Sequence, residues 1–178
     1  MPKKVLLNSK KIDIILNRLV CQLVENHKDF NNTVLIGLQP RGTFLIEKIL
    51  EIFKKKHPTI FINSGILDFT FFRDDFRRSK KTLKASSTQI NFSIENKNVV
   101  LIDDVLFTGR SIKAAMSAID SYGRPKSIEL LVLVDRRFKR EIPIEANYFG
   151  TKIDTFKGDK VKVVWDKKNI NNKVFIES

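Results

Sequence analysis

The sequence predicts an α/β fold built on a mainly parallel sheet flanked by helices. Three observations carry that prediction. Largely apolar runs stand at Thr33–Leu38, Asn98–Ile102 and Ile128–Val134, as expected of strands buried on both faces. The segments between them carry apolar residues at helical spacing, and strands alternating with amphipathic helices imply crossover units. The 178 residues match one ordinary domain. With no internal repeat and no linker, residues 1–178 read as a single unit.

Each element has its own signal. Asn8-Ser9 can cap a helix, and Ile12, Ile15, Leu16, Leu19, Val20 and Leu23 then form one apolar stripe. Asn31-Asn32 breaks the pattern, and the strand Thr33–Leu38 runs into a turn at Gln39-Pro40-Arg41-Gly42. From Thr43, the residues Phe44, Leu45, Ile46, Ile49, Leu50 and Phe53 mark a second helix. Strand-like runs follow at Thr59–Ile62 and Leu67–Phe72. Residues 77–89 are polar and aperiodic, which predicts a mobile loop. After the strand at Asn98, Ile112, Ala115, Met116 and Ile119 mark a third helix, ended by Gly123 with Pro125 beyond. Val161–Trp165 is expected to be a fourth apolar strand. Trp165 and the many Phe residues read as core rather than as base-stacking platforms.

Composition narrows the function classes. Lys+Arg is 33 against 20 Asp+Glu, a net charge of +13, and no tail carries it. The densest run, Arg77 to Lys84, holds five cations and no acid. On composition it reads first as a solvated loop and second as an anion-binding loop. Cys21 is the single cysteine, which excludes an internal disulfide and a multi-cysteine zinc site. His27 and His57 lack Ser or Cys partner patterns and are expected to be solvated, so a His-dependent triad is not expected. No apolar run reaches a membrane span and the N-terminus lacks a cleavage site, so the expected location is cytoplasmic.

In such folds ligands bind where strands end and helices begin. Leu101-Ile102-Asp103-Asp104-Val105-Leu106-Phe107-Thr108-Gly109-Arg110-Ser111 is an apolar strand running into two carboxylates, a Thr-Gly-x-Ser turn and a helix. The turn offers free backbone N–H groups at a helix start, where an anion is favoured. Thr108 and Ser111 add hydroxyls, and Gly109 permits close approach. The two carboxylates can accept hydrogen bonds from a vicinal diol. Diol on one side and phosphate on the other describes a ribose 5-phosphate. A plain strand end with Ser111 as helix cap is the alternative. It leaves two adjacent carboxylates repelling each other with nothing to bind.

Val99 to Ser111 resembles the phosphoribosyl-pyrophosphate (PRPP) motif of type I phosphoribosyltransferases. Further segments narrow the resemblance to the PyrR family, bifunctional regulators of pyrimidine operons and uracil phosphoribosyltransferases. Ile36 to Gly42 is similar to its pyrophosphate loop, and Leu67 to Asp75 to its strand before a flexible loop. Gly123-Arg124-Pro125, Leu133 to Arg136, and Pro143 to Gly150 continue it. The resemblance implies the type I fold, with a small hood over the site. It implies that Asp103 and Asp104 hold the ribose hydroxyls as the catalytic acid pair. Val105 would belong to the PRPP site, the turn Leu106, Phe107, Thr108, Gly109, Arg110 and Ser111 would hold the 5′-phosphate, and Pro40, Arg41 and Gly42 the pyrophosphate. Mg²⁺ would arrive carried by PRPP, with no resident metal site. The stretch 77–89 would close over the site, and Arg136 and Val161 would belong to the hood over uracil. The implied partners are PRPP, uracil, UMP and a pyrimidine-leader RNA, and the implied assembly is a homodimer or higher oligomer.

The sequence also departs from the family. Where members read D-R-G-H-R-E-L-P, this chain has Asp135-Arg136-Arg137-Phe138-Lys139-Arg140-Glu141-Ile142-Pro143, one residue longer and without Gly-His. A T-R-x-x-H pattern in the first helix is replaced by Asn17, Arg18 and Cys21, and Glu145 stands where Arg is common. Arg18 and Arg140 remain as RNA-binding candidates, with Lys11 and Lys152 able to extend the basic face. Uracil transfer is the expected activity. Transfer to another base such as a purine, or a mainly RNA-binding attenuator, are the alternatives.

Overall fold

The computed structural model describes residues 3–75, 85–156, 158–166 and 171–177. The chain opens with β1 (Lys3–Leu7) and α1 (Ser9–His27), then β2 (Thr33–Leu38), α2 (Gly42–Lys56), β3 (Asn63–Leu67) and β4 (Asn98–Leu106). It continues through α3 (Arg110–Ile119), β5 (Ser127–Arg136), β6 (Tyr148–Ile153), β7 (Lys160–Val164) and β8 (Lys173–Glu177). Five strands make a wholly parallel sheet in the order β3-β2-β4-β5-β6. The remaining three make a small antiparallel sheet, β1-β8-β7.

Local chemistry starts the helices and burial holds them. The Asn8 side chain accepts a hydrogen bond from the Lys11 N–H at 3.0 Å, capping α1. Ile12, Leu16, Leu19, Val20 and Leu23 are buried on its sheet side, each worth about 1.5–3 kcal/mol if fully removed from water. With Leu45, Ile46 and Ile49 of α2 they pack against Val100, Ile102, Leu131 and Leu133 in one core layer. Ile112, Ala115 and Ile119 of α3 join Val34, Ile36, Val99, Leu101 and Val132 in a second. Alternate β4 residues therefore serve opposite layers, as strand geometry requires.

Several expectations are corrected here. The strand after α2 lies at Asn63–Leu67, and Thr70–Phe72 is a 3₁₀ turn. Pairing of Val34 through Leu38 with Asn63 through Leu67 sets that position, whatever the β-propensity of the neighbours. Val161 to Val164 belongs to the small sheet rather than to the parallel one. Phe30, Phe53 and Phe69 are buried, but Phe44, Phe61, Phe71, Phe72, Phe138 and Phe156 are exposed. Trp165 is partly buried against the core, as expected. Residues 77–84 of the expected loop, with the cation run, lie outside the described residues. Residues 85–88 have no regular structure, and Gln89 bridges to Ile66.

His27 is not solvated: its side chain is 4% exposed. Its Nδ1 meets the Thr33 hydroxyl at 3.1 Å, and its Nε2 lies 3.1 Å from the Tyr148 hydroxyl and 3.2 Å from Glu129. Tyr148 donates to Glu129 at 2.8 Å and accepts from Asn26 at 2.9 Å. These groups join the C-terminal end of α1 to the N-terminal ends of β2, β5 and β6. A polar sequence neighbourhood says nothing about this, because the partners come from strands remote in the chain. His57 is half-buried, with its ring 5.9 Å from that of Phe53. Among the described residues, no helix is long and apolar enough to cross a membrane.

Candidate active site

The C-terminal end of β4 carries the densest chemistry. Asp104 is buried and Asp103 half-buried. The Asp103 carboxylate accepts the Asp104 N–H at 2.8 Å. Arg41, half exposed, reaches Asp104 at 3.5 Å. Burial, then the neighbouring Asp104 charge, pushes the Asp103 carboxyl up to about 8. Burial also raises Asp104, against the opposing pull of Arg41. The pair titrates as a unit and holds a proton into the neutral range.

Arg41 is delivered by the β2–α2 connection, which begins with a cis Gln39–Pro40 peptide. Gly42 is obligatory there. A Cβ on it would sit 2.1 Å from the Ile102 carbonyl oxygen, one residue before the acid pair. The absence of a side chain lets this loop lie directly against β4.

After Leu106 the chain turns through Phe107, Thr108 and Gly109 into α3. Gly109 has φ +88°, left-handed backbone, and stands at the N-cap with no side-chain cap bond, so Ser111 is not the cap. The first N–H groups of α3 lack helical acceptors, as at any helix start. Behind the turn lies the segment 140–142. Arg140 donates to the Phe107 carbonyl, and the Glu141 and Ile142 N–H groups donate to the Thr108 carbonyl at 2.9 and 3.0 Å. Arg110 is exposed and bridges Asp74 and Glu141.

Arg136 is buried against the connection between β6 and β7. Its guanidinium stacks on the Phe107 ring at 3.8 Å and donates to the Thr155 hydroxyl at 2.8 Å and to the Asp159 carbonyl at 3.1 Å. Burial lowers its pKa. Val161 is half-buried and packs with Val105 and Ile153 against the core. Asp68 closes the other flank: it accepts the Thr70 N–H at 2.6 Å and the Ser86 N–H. Burial pushes this carboxyl up, but hydrogen bonding from the Thr70 side chain, then from the Ser86 and Thr70 N–H groups, outweighs it, and the net shift is downward.

The structure thus brings Arg41, Gly42 and residues 103–111 to one end of the parallel sheet, with Arg136 joined through Phe107. Arg18 lies apart, donating to the Phe149 and Gly150 carbonyls at 3.0 and 2.6 Å on edge strand β6. Arg140 does not present its charge outward beside Arg18. Its side chain is 19% exposed and paired with Asp135 at 2.5 Å. Low-dielectric acceptors at the strand ends hold it there. Sequence reasoning missed the parts played by Asp68, Thr155 and Asp159, and no local spacing signals them.

A five-stranded parallel sheet with an acid pair at its central strand end, a left-handed glycine turn into a helix and a separate small sheet is the type I phosphoribosyltransferase fold. The phosphoribosyl transferase domain model matches residues 3–168. Among solved structures, hypoxanthine phosphoribosyltransferase from Staphylococcus aureus superposes with TM-score 0.65 at 24% identity, over 86% of this chain and 80% of that one. The Trypanosoma cruzi enzyme gives 0.69 at 17%, over 85% and 81%. The chain belongs to the PyrR family. It is 40% identical to bifunctional protein PyrR of Caldicellulosiruptor bescii over 98% of its own length and 94% of that protein's. It is 38% identical to that of Bacillus subtilis over 98% and 96%.

Proposed function

We propose that this phosphoribosyltransferase converts uracil and PRPP to UMP and pyrophosphate. The observation that carries the reading is the Asp103–Asp104 pair, facing Arg41 across the Gly42 contact and followed by the Gly109 turn. The ribose 2′ and 3′ hydroxyls donate to the two carboxylates. Donation to the charged form draws the shared proton off the pair. The 5′-phosphate takes the N–H groups of the turn and of the first turn of α3, and Arg41 faces the pyrophosphate. Mg²⁺ would be carried by PRPP rather than by a resident site, and would offset part of the pyrophosphate charge.

In the reaction the bond from ribose C1 to the pyrophosphate oxygen breaks, with its electrons leaving on pyrophosphate. Uracil N1 forms the new bond to C1, and its proton passes to the departing pyrophosphate. Carboxylates beneath the ribosyl ring stabilise its developing positive charge, and Arg41 stabilises the departing anion. Arg136, fixed over Phe107 by Thr155 and Asp159, borders the space for the base under the β1-β8-β7 hood. The test is direct: with Mg²⁺ and PRPP, the purified chain should release pyrophosphate and form UMP when given uracil. Pyrophosphate release with hypoxanthine but not uracil would overturn the base assignment.

A second, regulatory reading is favoured by the +13 charge and by the bifunctional name its relatives carry. In it, UMP promotes binding of a pyrimidine-leader hairpin to a face carrying Arg18, Lys11 and Lys152, completed by a second copy. Binding should fall steeply between about 50 and 200 mM salt. A cognate and a scrambled hairpin, titrated with and without UMP, test it. Equal binding of both, with no UMP effect, leaves a plain transferase.

A further inference from the structure

We infer that Arg140 is a positioning residue of the phosphate turn: it aims backbone N–H groups at the 5′-phosphate without touching the ligand. This role rests on the PRPP-site reading above and on the contacts behind the turn. A trans peptide unit is planar, and its C=O and N–H point in opposite directions. The Phe107 carbonyl shares a unit with the Thr108 N–H, and the Thr108 carbonyl shares one with the Gly109 N–H. Arg140 holds the first carbonyl backward, and the Glu141 and Ile142 N–H groups hold the second. Both N–H groups are thereby turned to the opposite side of the turn, away from the 140–142 segment.

The fit is close. A Cβ on Gly109 would lie 3.1 Å from the Ile142 side chain and 3.7 Å from the Arg140 stem. The chain doubles back at Lys139, whose φ is +69°, and this brings Arg140 to Ile142 under the turn. The other half of the guanidinium meets Asp135, which is buried, so the cation is paired and anchored rather than free for an anion. A charged donor on a carbonyl also polarises its peptide unit, strengthening the N–H at the far end. The lengthened 135–143 segment therefore serves the phosphate turn, not only the base.

The test compares Arg140→Met, Arg140→Lys and the unaltered protein by calorimetric titration with ribose 5-phosphate, PRPP and pyrophosphate. Arg140→Met should weaken ribose 5-phosphate and PRPP about 10- to 100-fold, the scale of losing one hydrogen bond to a charged group. Pyrophosphate, which needs the Arg41 loop alone, should bind unchanged. Arg140→Lys, able to serve one of the two acceptors, should recover part of the loss. In turnover the KM for PRPP should rise more than kcat falls, because the phosphate is held in both ground and transition states. Unchanged affinity in Arg140→Met, or equal weakening of all three ligands, would overturn the inference. If the unaltered protein binds neither ribose 5-phosphate nor PRPP, the PRPP-site reading fails and this inference falls with it.

Discussion

Gly42→Ala is the sharpest single-atom probe of the site. The added Cβ must retreat from 2.1 Å to about 3.0 Å from the Ile102 carbonyl oxygen, a displacement of about 0.9 Å between two backbones. Neither neighbour is a flexible tip that can rotate aside. Ala is ordinarily the better residue in a helix by roughly 0.5–1 kcal/mol, so any loss of stability runs against propensity. Forcing the segments apart should cost about 1–3 kcal/mol, which for a chain of this size lowers Tm by about 2–12 °C. The same displacement moves Arg41 relative to Asp104. A misplacement of about 1 Å in a positioned group can cost about 100-fold in rate. Gly37→Ala is a second probe of the same region, since its Cβ would meet the Cγ2 of the buried, β-branched Ile46 at 2.7 Å and the Gly42 carbonyl oxygen at 3.2 Å, and it should also destabilise. Thermal melts and PRPP-dependent pyrophosphate release on both variants decide the matter. A Gly42→Ala protein that melts and turns over like the unaltered chain would refute the claim that this contact places the loop.

Other expectations follow from the titrating and hydrogen-bonded groups. Asp103 has its pKa raised in the folded protein to about 8 from 3.8, so between those values the folded state holds a proton that the unfolded chain releases. Its contribution to stability is therefore lost as pH rises from about 4 to about 8. Asp103→Asn should flatten that decline in Tm measured across the window, and an unchanged slope would count against a buried shared proton. Asp68→Ala removes the acceptor for the Thr70 and Ser86 N–H groups. It should cost about 1–3 kcal/mol in denaturant titration and speed amide exchange at Ser86. His27→Ala leaves Tyr148, Thr33 and Glu129 short of a partner and should cost about 1–3 kcal/mol. Because that network sits at the N-terminal strand ends, turnover at 25 °C should stay unchanged; a loss of rate without loss of stability would contradict this placement.

The legible part of the site was local. Two carboxylates at the end of an apolar strand, then Thr-Gly-x-Ser and a helical stripe, are contiguous, and their chemistry follows from adjacency alone. The same holds for α1, whose cap and stripe lie within one run from Asn8 to Leu23. The reading failed where partners come from afar. β1 pairs with β8 across nearly the whole chain, and neither short segment announces itself. Val161 alternates well enough for any sheet, and its pairing with Ile176 decided which one. His27 read as solvated because its acceptors, Glu129 and Tyr148, are more than one hundred residues away.

Contiguous residues supply the apolar strand runs and the helical stripes between them, the acid pair near the end of β4, glycine at positions 42 and 109, and a cation five residues beyond Asp135. These suffice for the parallel sheet, the PRPP motif and the family resemblance, because periodicity and motif spacing are properties of contiguous residues. Only folding turns Arg140 inward to the Phe107 carbonyl, presses Gly42 on Ile102 and stacks Arg136 on Phe107. Those outcomes depend on which acceptors are buried beside each donor. In a low-dielectric interior an unpaired charge is costly, so the side chain goes to partners that only the folded chain brings within reach.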